Sequence, residues 1–256
     1  MTLVSAVVIT KDEEKNIRRC LESVRWADEV IVVDSNSSDN TCEIAADCGA
    51  RIIPHEWRGY GAAKREGVQR AAGEWVLSVD ADEEVSSELA GEIQAVIRSA
   101  DAADGYYIPR STSFLGRWIR HCGWYPDLVL RLFRRDKGNF TEDVVHEKVL
   151  LNGQSGRLRG ELLHYCYVDL EQYLTKSNRY TTLGALAAYQ SGRRASCFDL
   201  AVRPIVSFFS HYVVRQGFRD GMEGFIVSAM SANAVLGKYV KLRHLQNSAK
   251  RPKGEQ

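Results

Sequence analysis

The chain has 256 residues, enough for one large domain or two small ones, each with a sizeable core. Its 45% hydrophobic and 26% charged residues, with 20 Gly and 5 Pro, exclude a disordered, collagen-like or disulfide-framework chain. With 34 basic and 33 acidic residues the formal charge is +1, so no nucleic-acid partner is expected.

The segment from Met1 to Thr10 lacks a charged leader region and runs straight into Lys11 and Asp12, so no secretory signal is expected. The cysteines at 20, 42, 48, 122, 166 and 197 contain no Cys-x-x-Cys pair. Reduced thiols in a cytoplasmic protein, with neither zinc nor disulfides, are expected.

Up to residue 104, short β-branched runs alternate with amphipathic segments of helical period, the pattern of βαβ units on a mainly parallel sheet. Residues 6–9 read as a strand, followed by Thr10-Lys11-Asp12-Glu13, a capping-box pattern, and by Ile17, Cys20, Leu21 and Val24 at helical spacing. Residues 30–33 form a second buried strand ending on Asp34, and a Ser- and Asn-rich loop leads to a helix starting near Asp39. A short strand over 51–54 precedes a helix over 62–72, a strand over 75–79 that stops at Asp80, and a helix marked by Leu89, Ile93, Val96 and Ile97. Beyond residue 104 come strand-like runs at 106–108, 128–133, 144–150 and 158–163, separated by loops rich in Gly, Trp and Arg. From Asp169 onward the period is helical: Leu170, Tyr173, Leu174, Ser177 and Tyr180 share a face, and two apolar helices cover 200–217 and 221–242. The polar tail after about Leu245 is expected to be loose. No apolar stretch is expected to reach the ~18 residues of a membrane span, the nearest, 205–214, being interrupted by Ser207, Ser210 and His211.

Ligands of open α/β sheets bind at the carboxyl ends of the strands, and here those ends carry acids. Asp12 and Glu13 follow the first strand, Asp34 the second, and Asp80-Ala81-Asp82-Glu83-Glu84 the fourth. Carboxylates gathered at one edge repel one another unless a cation lies among them, so a divalent metal is expected, with Asp80 and Asp82 converging on it. Taken singly, each acid also reads as a helix cap. The first strand is followed by neither G-x-G-x-x-G nor G-x-x-x-x-G-K-[ST], which argues against a Rossmann dinucleotide site and a P-loop.

Four segments in order carry a resemblance. They are Val7-Val8-Ile9-Thr10-x-Asp12-Glu13-Glu14-x-Asn16-Ile17, Val32-Val33-Asp34-x-x-Ser37-x-Asp39-x-Thr41, Gly59-Tyr60-Gly61-Ala62-Ala63-Lys64-Arg65-Glu66-Gly67 and Asp80-Ala81-Asp82-Glu83. Together they resemble a family 2 inverting glycosyltransferase with the GT-A fold. Later pieces are similar to the bacterial branch that includes the lipopolysaccharide-core β-1,4-glucosyltransferases. These are Leu130-Arg131-Leu132-Phe133-Arg134-Arg135, Val145-His146-Glu147, His164-Tyr165, Lys176-x-x-Arg179-Tyr180 and Gly217-Phe218-x-Asp220-Gly221-x-x-Gly224-Phe225. The likeness then runs from residue 3 to about 242.

The resemblance implies an α/β, GT-A catalytic domain over residues 1–168 and a helical C-terminal extension, 169–256, packed on it. It implies transfer of a hexose, glucose, from a nucleotide-diphosphate sugar to a lipopolysaccharide-core or other lipid-linked glycan acceptor. Mg²⁺ or Mn²⁺ on Asp82 and Asp80, with His164 as a further ligand, would stabilise the departing diphosphate. Nucleoside contacts carry over to Thr10, Glu13, Asp34 and the ribose side of Asp80. A basic residue near the donor carries over to Lys64 and Arg65, whose other reading is a solvated helix face. An inverting transfer needs a carboxylate base. The family's Glu-Asp pair makes it Asp143, whereas the narrower branch points to Glu147 beside His146, and both assignments stand.

Trp124, Tyr125 and Arg131 lie in a stretch read as a loop with Trp118, Arg117 and Arg120, and suit sugar stacking and binding of anionic groups; His146 joins them as an acceptor contact. Core packing explains the aromatics equally well. The C-terminal helices carry Phe208, Phe209, Tyr212, Phe218 and Phe225 among Arg203, Arg215, Lys238, Lys241 and Arg243, which suits contact with an anionic membrane at its cytoplasmic face. Packing on the catalytic domain, or a homodimer contact, is the other reading. Two rivals differ in kind. A sugar nucleotidyltransferase would carry a glycine-rich basic loop after the first strand, which is missing, and a non-catalytic partner subunit is opposed by the intact Asp34, Asp80 and Asp82.

Overall fold

The computed structural model describes residues 3–141, 147–167 and 169–248. The chain divides into two units, Met1–Ser111 with Pro126–Tyr165, and Thr112–Tyr125 with Cys166–Gln256. The expected division cuts the chain once, at residue 168, whereas the segment Thr112–Tyr125 clusters with the helical unit.

In the first unit, β1 (Val4–Thr10), α1 (Ile17–Val24), β2 (Glu29–Asp34), α2 (Thr41–Asp47), β3 (Arg51–Pro54), α3 (Tyr60–Arg70) and β4 (Trp75–Asp80) give the expected alternation. β1 pairs in parallel with β2 and β4, and β2 with β3. Then follow β5 (Glu83–Val85), α4 (Ser87–Val96), β6 (Gly105–Phe114), β7 (Arg117–Ile119), β8 (Asp127–Arg134), β9 (Gly138–Phe140), β10 (Val149–Leu151), β11 (Ser155–Arg157) and β12 (Leu162–Tyr167). The main sheet runs β3-β2-β1-β4-β8-β6-β12-β5, and it turns antiparallel where β8 joins β4 and β6 joins β8.

β1 is buried over its whole length, as befits a strand covered on both faces. Its alternate residues divide between two cores: Val4, Ala6 and Val8 meet Ile17, Cys20, Leu21 and Val24 of α1, while Val7 and Ile9 meet Ala63 and Val68 of α3. α3 lies close to the sheet because Gly67 has no side chain; a Cβ there would sit 2.2 Å from Val7 Cγ1 and 3.2 Å from Val33 Cγ2. Gly61, Ala63, Lys64, Gly67 and Val68 form the buried face of α3, which carries Lys64 inward with the small residues.

Two local expectations are corrected. Thr10-Lys11-Asp12-Glu13 does not cap a helix, because Thr10 is still in β1 and Asp12 has φ +53°, which a right-handed helix cannot continue. The Asp12 carboxylate accepts from the Ser38 N–H at 2.7 Å instead, and α1 starts only at Ile17. His164 lies within β12 and not after a strand over 158–163. Residues 155–157 are spent pairing with β6, and Gly160 passes so close to α4 that a Cβ would meet Leu89 Cα at 2.4 Å, so β12 begins at Leu162.

In the second unit, β6 ends in a turn through Leu115 and Gly116, at φ +48° and +83°, into β7. α5 (Leu170–Gln190) and α6 (Cys197–Phe209) both pack on α7 (Gly221–Ser248); a π turn, Ser210–Val214, and a 3₁₀ turn, Gly217–Asp220, join the last two. One core gathers Phe114, Ile119, Cys122, Tyr173 and Val227, and another Ala185, Ala188, Ala195, Tyr239 and Leu242. Of the residues expected to share a face of α5, Tyr173 is buried while Leu170, Leu174 and Tyr180 are exposed. The helical sequence continues past Leu245 to Ser248. The 18-residue stretch Cys197–Val214 has mean hydropathy 1.2 and so does reach the length and composition of a membrane span, contrary to expectation. Its serines and His211 lower the average without breaking the helix, and only 6% of the stretch is buried.

Candidate functional site

β4 is buried through Val79 and emerges at Asp80, where the chain turns and returns as β5. Glu83 is fully buried there, and its carboxylate accepts the Asp80 N–H at 2.9 Å. Three cations converge on these acids. Arg131 Nη2 lies 2.5 Å from Asp80 Oδ2 and 3.0 Å from Glu83 Oε1. Lys64 Nζ lies 2.9 Å from Asp80 Oδ1 and 2.7 Å from Glu147 Oε1, so it joins the acid after β4 to one candidate base. Arg110 donates to Glu83 at 3.2 Å and to Asp127 at 2.6 Å, the latter its cross-strand partner between β6 and β8.

The electrostatics follow from this packing. Burial works to raise the Asp80 carboxyl, but Arg131 and then Lys64 outweigh it and hold it well below the usual carboxylate range. Burial opposes charge on Arg131 too, yet Asp80 and Glu83 keep it protonated more firmly than usual. Burial, then Glu83, Asp82 and Asp80, push the Cys20 thiol well up, so it sits beside the site as a neutral group. Among the described residues around Asp80, three cations face the four carboxylates Asp80, Glu83, Asp127 and Glu147, and Asp82 adds another, leaving a negative balance.

Asp82 is reached from the other side. β12 pairs antiparallel with β5, setting His164 opposite Glu83, and the Tyr165 N–H donates to the Asp82 carbonyl at 2.9 Å. This register brings His164 Nε2 to 3.1 Å from Asp82 Oδ2, with both side chains partly open to solvent. An oxygen and an imidazole nitrogen beside an excess of negative charge suit Mn²⁺ or Mg²⁺.

The remaining expected residues fall as follows. Thr10 is buried at the end of β1, and its Oγ1 has no hydrogen-bond partner among the described residues. Asp34 is buried at the end of β2 and accepts from Ser37 N–H at 3.0 Å and Ser37 Oγ at 2.5 Å. The Glu13 N–H donates to Thr41 Oγ1 at 2.8 Å, while its carboxylate accepts from Asn16 at 2.8 Å. Arg65, the neighbour of Lys64, is half-buried. Arg131 lies in β8, the strand expected over 128–133, and not in a loop with Trp124 and Tyr125; it is buried, because its charge is matched by Asp80 and Glu83. Trp124 and Tyr125 belong to the second unit, where Trp124 packs edge-on to Phe114 at 5.8 Å and Arg120 lies 4.7 Å over the Tyr125 ring. Asp143 and His146 lie outside the described residues. Glu83 was expected among the acids after the fourth strand but without a role of its own, and Arg110 and Asp127 were not expected in the site. The available signal was a charged residue within an apolar strand, as in Tyr107-Ile108-Pro109-Arg110, since a buried guanidinium requires an acid.

The family model described as Glycosyl transferase family 2 matches residues 5–151. An uncharacterized glycosyltransferase of Rickettsia typhi is 33% identical over 257 residues, covering 96% of this chain and 88% of that protein. The lipopolysaccharide core biosynthesis glycosyltransferase LpsC of Rhizobium meliloti is 30% identical over 241 residues, covering 90% and 87%. Among solved structures, the mannosyltransferase PcManGT of Pyrobaculum calidifontis, in complex with GDP-Man and Mn²⁺, gives a TM-score of 0.56 at 14% identity over 93% of this chain and 86% of that one.

Proposed function

Since the chain belongs to glycosyl transferase family 2 and has the GT-A fold, we propose that it is a metal-dependent, inverting hexosyltransferase. It moves a hexose, in our reading glucose, from a nucleotide-diphosphate sugar to a lipopolysaccharide-core or other lipid-linked glycan at the cytoplasmic face of the membrane. The observation that carries the reading is the arrangement after β4, where Asp80 is locked by Lys64 and Arg131 while Asp82 stays partly open beside His164. The part of LpsC in lipopolysaccharide core biosynthesis supports the acceptor class, and the GDP-Man and Mn²⁺ bound by the mannosyltransferase support the donor and the metal.

In this reading Asp82 and His164, with Asp80 behind them, would hold Mg²⁺ or Mn²⁺, which supplies positive charge for the departing diphosphate. Lys64 and Arg131 keep Asp80 ionised and fixed. Thr10, Glu13 and Asp34 bind the nucleoside at the ends of β1 and β2. Glu147, positioned by Lys64 at 2.7 Å, takes the acceptor's proton, with Asp143 the alternative base. Trp124, Tyr125 and His146 serve the acceptor.

Thermal-shift screening of UDP-, GDP- and ADP-sugars with Mn²⁺ tests this. A true donor raises the apparent stability, by about 2.7 kcal/mol at a hundredfold excess over Kd. No stabilisation by any nucleotide-sugar overturns the reading.

A further inference from the structure

In the second unit, Ile205, Phe209 and Val213 repeat at helical spacing along α6 and the π turn, and all three are exposed. Val214 beside them is 75% exposed, and the ridge turns the corner onto Phe218 and Met222. Its underside is packed: Phe208 stacks on Tyr212 at 5.4 Å, and Phe225 meets both rings edge-on at 5.6 and 5.8 Å. The ridge is therefore held in shape while its outer side is bare.

Charge sorts in the same way. Over residues 196–225 each acid is paired: Asp199 with Ser196 and Arg203, Asp220 with His121, and Glu223 with Arg117 at 3.5 Å. Arg215 and Arg219 are exposed, and no carboxylate pairs with either among the described residues. An apolar ridge rimmed by cations without carboxylate partners, whose neighbouring acids are all paired, complements anionic lipid headgroups. A second copy docked by two-fold symmetry would instead bring like cations together.

We propose that the corner between α6 and α7 is a membrane-docking crest, with the Phe209–Val214 ridge in the headgroup layer of an anionic bilayer and Arg215 and Arg219 on lipid phosphates. The proposal deepens the membrane placement above and rests on it. The crest lies on the bilayer and does not cross it. The apolar 18-residue stretch contains Asp199, Arg203 and Pro204, its inner side packs on α7, and the exposed ridge continues beyond its end.

The test is flotation of the full chain with phosphatidylcholine vesicles made with or without phosphatidylglycerol. The chain should float with the anionic vesicles, and at least about tenfold less without phosphatidylglycerol or at high salt. Val213→Ser/Val214→Ser and Arg215→Glu/Arg219→Glu should each lose at least about tenfold. Val214→Trp provides a second measurement, since its emission should shift to the blue on anionic vesicles only. Wild-type flotation of both double variants, or a reporter that does not shift, overturns the crest. So does membrane association that resists carbonate, which means spanning, or a dimer that the ridge variant splits without any vesicle binding. The assay contains no nucleotide-sugar, so its failure leaves glycosyl transfer standing, and absence of turnover leaves the vesicle result standing.

Discussion

Arg131→Met removes the guanidinium between Asp80 and Glu83 while keeping most of the buried stem. Asp80 loses bonds of 2.5 and 3.3 Å and Glu83 one of 3.0 Å. Breaking one side of a buried ion pair costs about 3–5 kcal/mol, because the other side stays desolvated. Lys64 still reaches Asp80 at 2.9 Å and Arg110 still reaches Glu83 at 3.2 Å, so the lower end, about 3 kcal/mol, is expected. The sign with pH also follows. In the wild type the lowered Asp80 carboxyl contributes stability above the unfolded value of about 3.9, lost only as pH falls through the lower folded value. Without Arg131 the raising effect of burial is opposed chiefly by Lys64, so Asp80 takes up a proton more readily than in the wild type and the deficit shrinks as pH falls from 7 to the unfolded value of about 3.9 and below. Urea denaturation at both pH values reads the effect, and Glu83→Gln in the Arg131→Met background should recover part of the loss. A deficit under about 1 kcal/mol at pH 7, the range of exposed pairs, would refute the buried-network argument.

Gly67→Val should force α3 away from Val7 and Val33, at a cost of about 1–3 kcal/mol seen in thermal denaturation; an unchanged Tm contradicts the close approach. The Ser196 backbone N–H, then its side chain, lower Asp199 to about 2. The stabilisation from ionised Asp199 should thus be complete above its unfolded value of about 3.9 and fade as pH falls toward 2. Wild-type and Asp199→Asn melting curves should converge there, and a gap that persists at acid pH goes against the capping box. Glu147→Gln should cut kcat by orders of magnitude with donor binding intact; the same result from Asp143→Asn, with Glu147→Gln active, moves the base to Asp143.

The parallel half of the sheet was legible because β1, β2 and β4 are short runs rich in Val and Ile, and each acid at their ends is placed by local sequence. Lys64 was legible as part of a glycine- and alanine-rich segment, but its inward turn follows from how closely Gly67 lets α3 approach β1. What failed was non-local. The strand carrying Arg131 was legible but its role was not, because its partner Asp80 lies far away in sequence and meets it only once β8 aligns antiparallel with β4. His164 needed the β12–β5 register to reach Asp82. The Thr-x-x-Glu pattern misled because the same residue types suit a strand-end loop, where the Asp12 carboxylate bonds the Ser38 N–H. The spacing in α5 marks a helix with a shared face without saying whether anything covers it, and there Tyr173 is buried while Leu170 and Leu174 are exposed.

The central claim, metal-dependent transfer from a nucleotide-sugar at Asp80, Asp82 and His164, is tested most directly by nucleoside-diphosphate release from the matched donor in the presence of acceptor. It should be measured for wild type and Asp82→Asn, with EDTA and with Mn²⁺ restored. The account predicts that wild-type release stops in EDTA and returns with Mn²⁺, and that Asp82→Asn falls by about a hundredfold or more. Release that persists in EDTA, or a fully active Asp82→Asn, contradicts it.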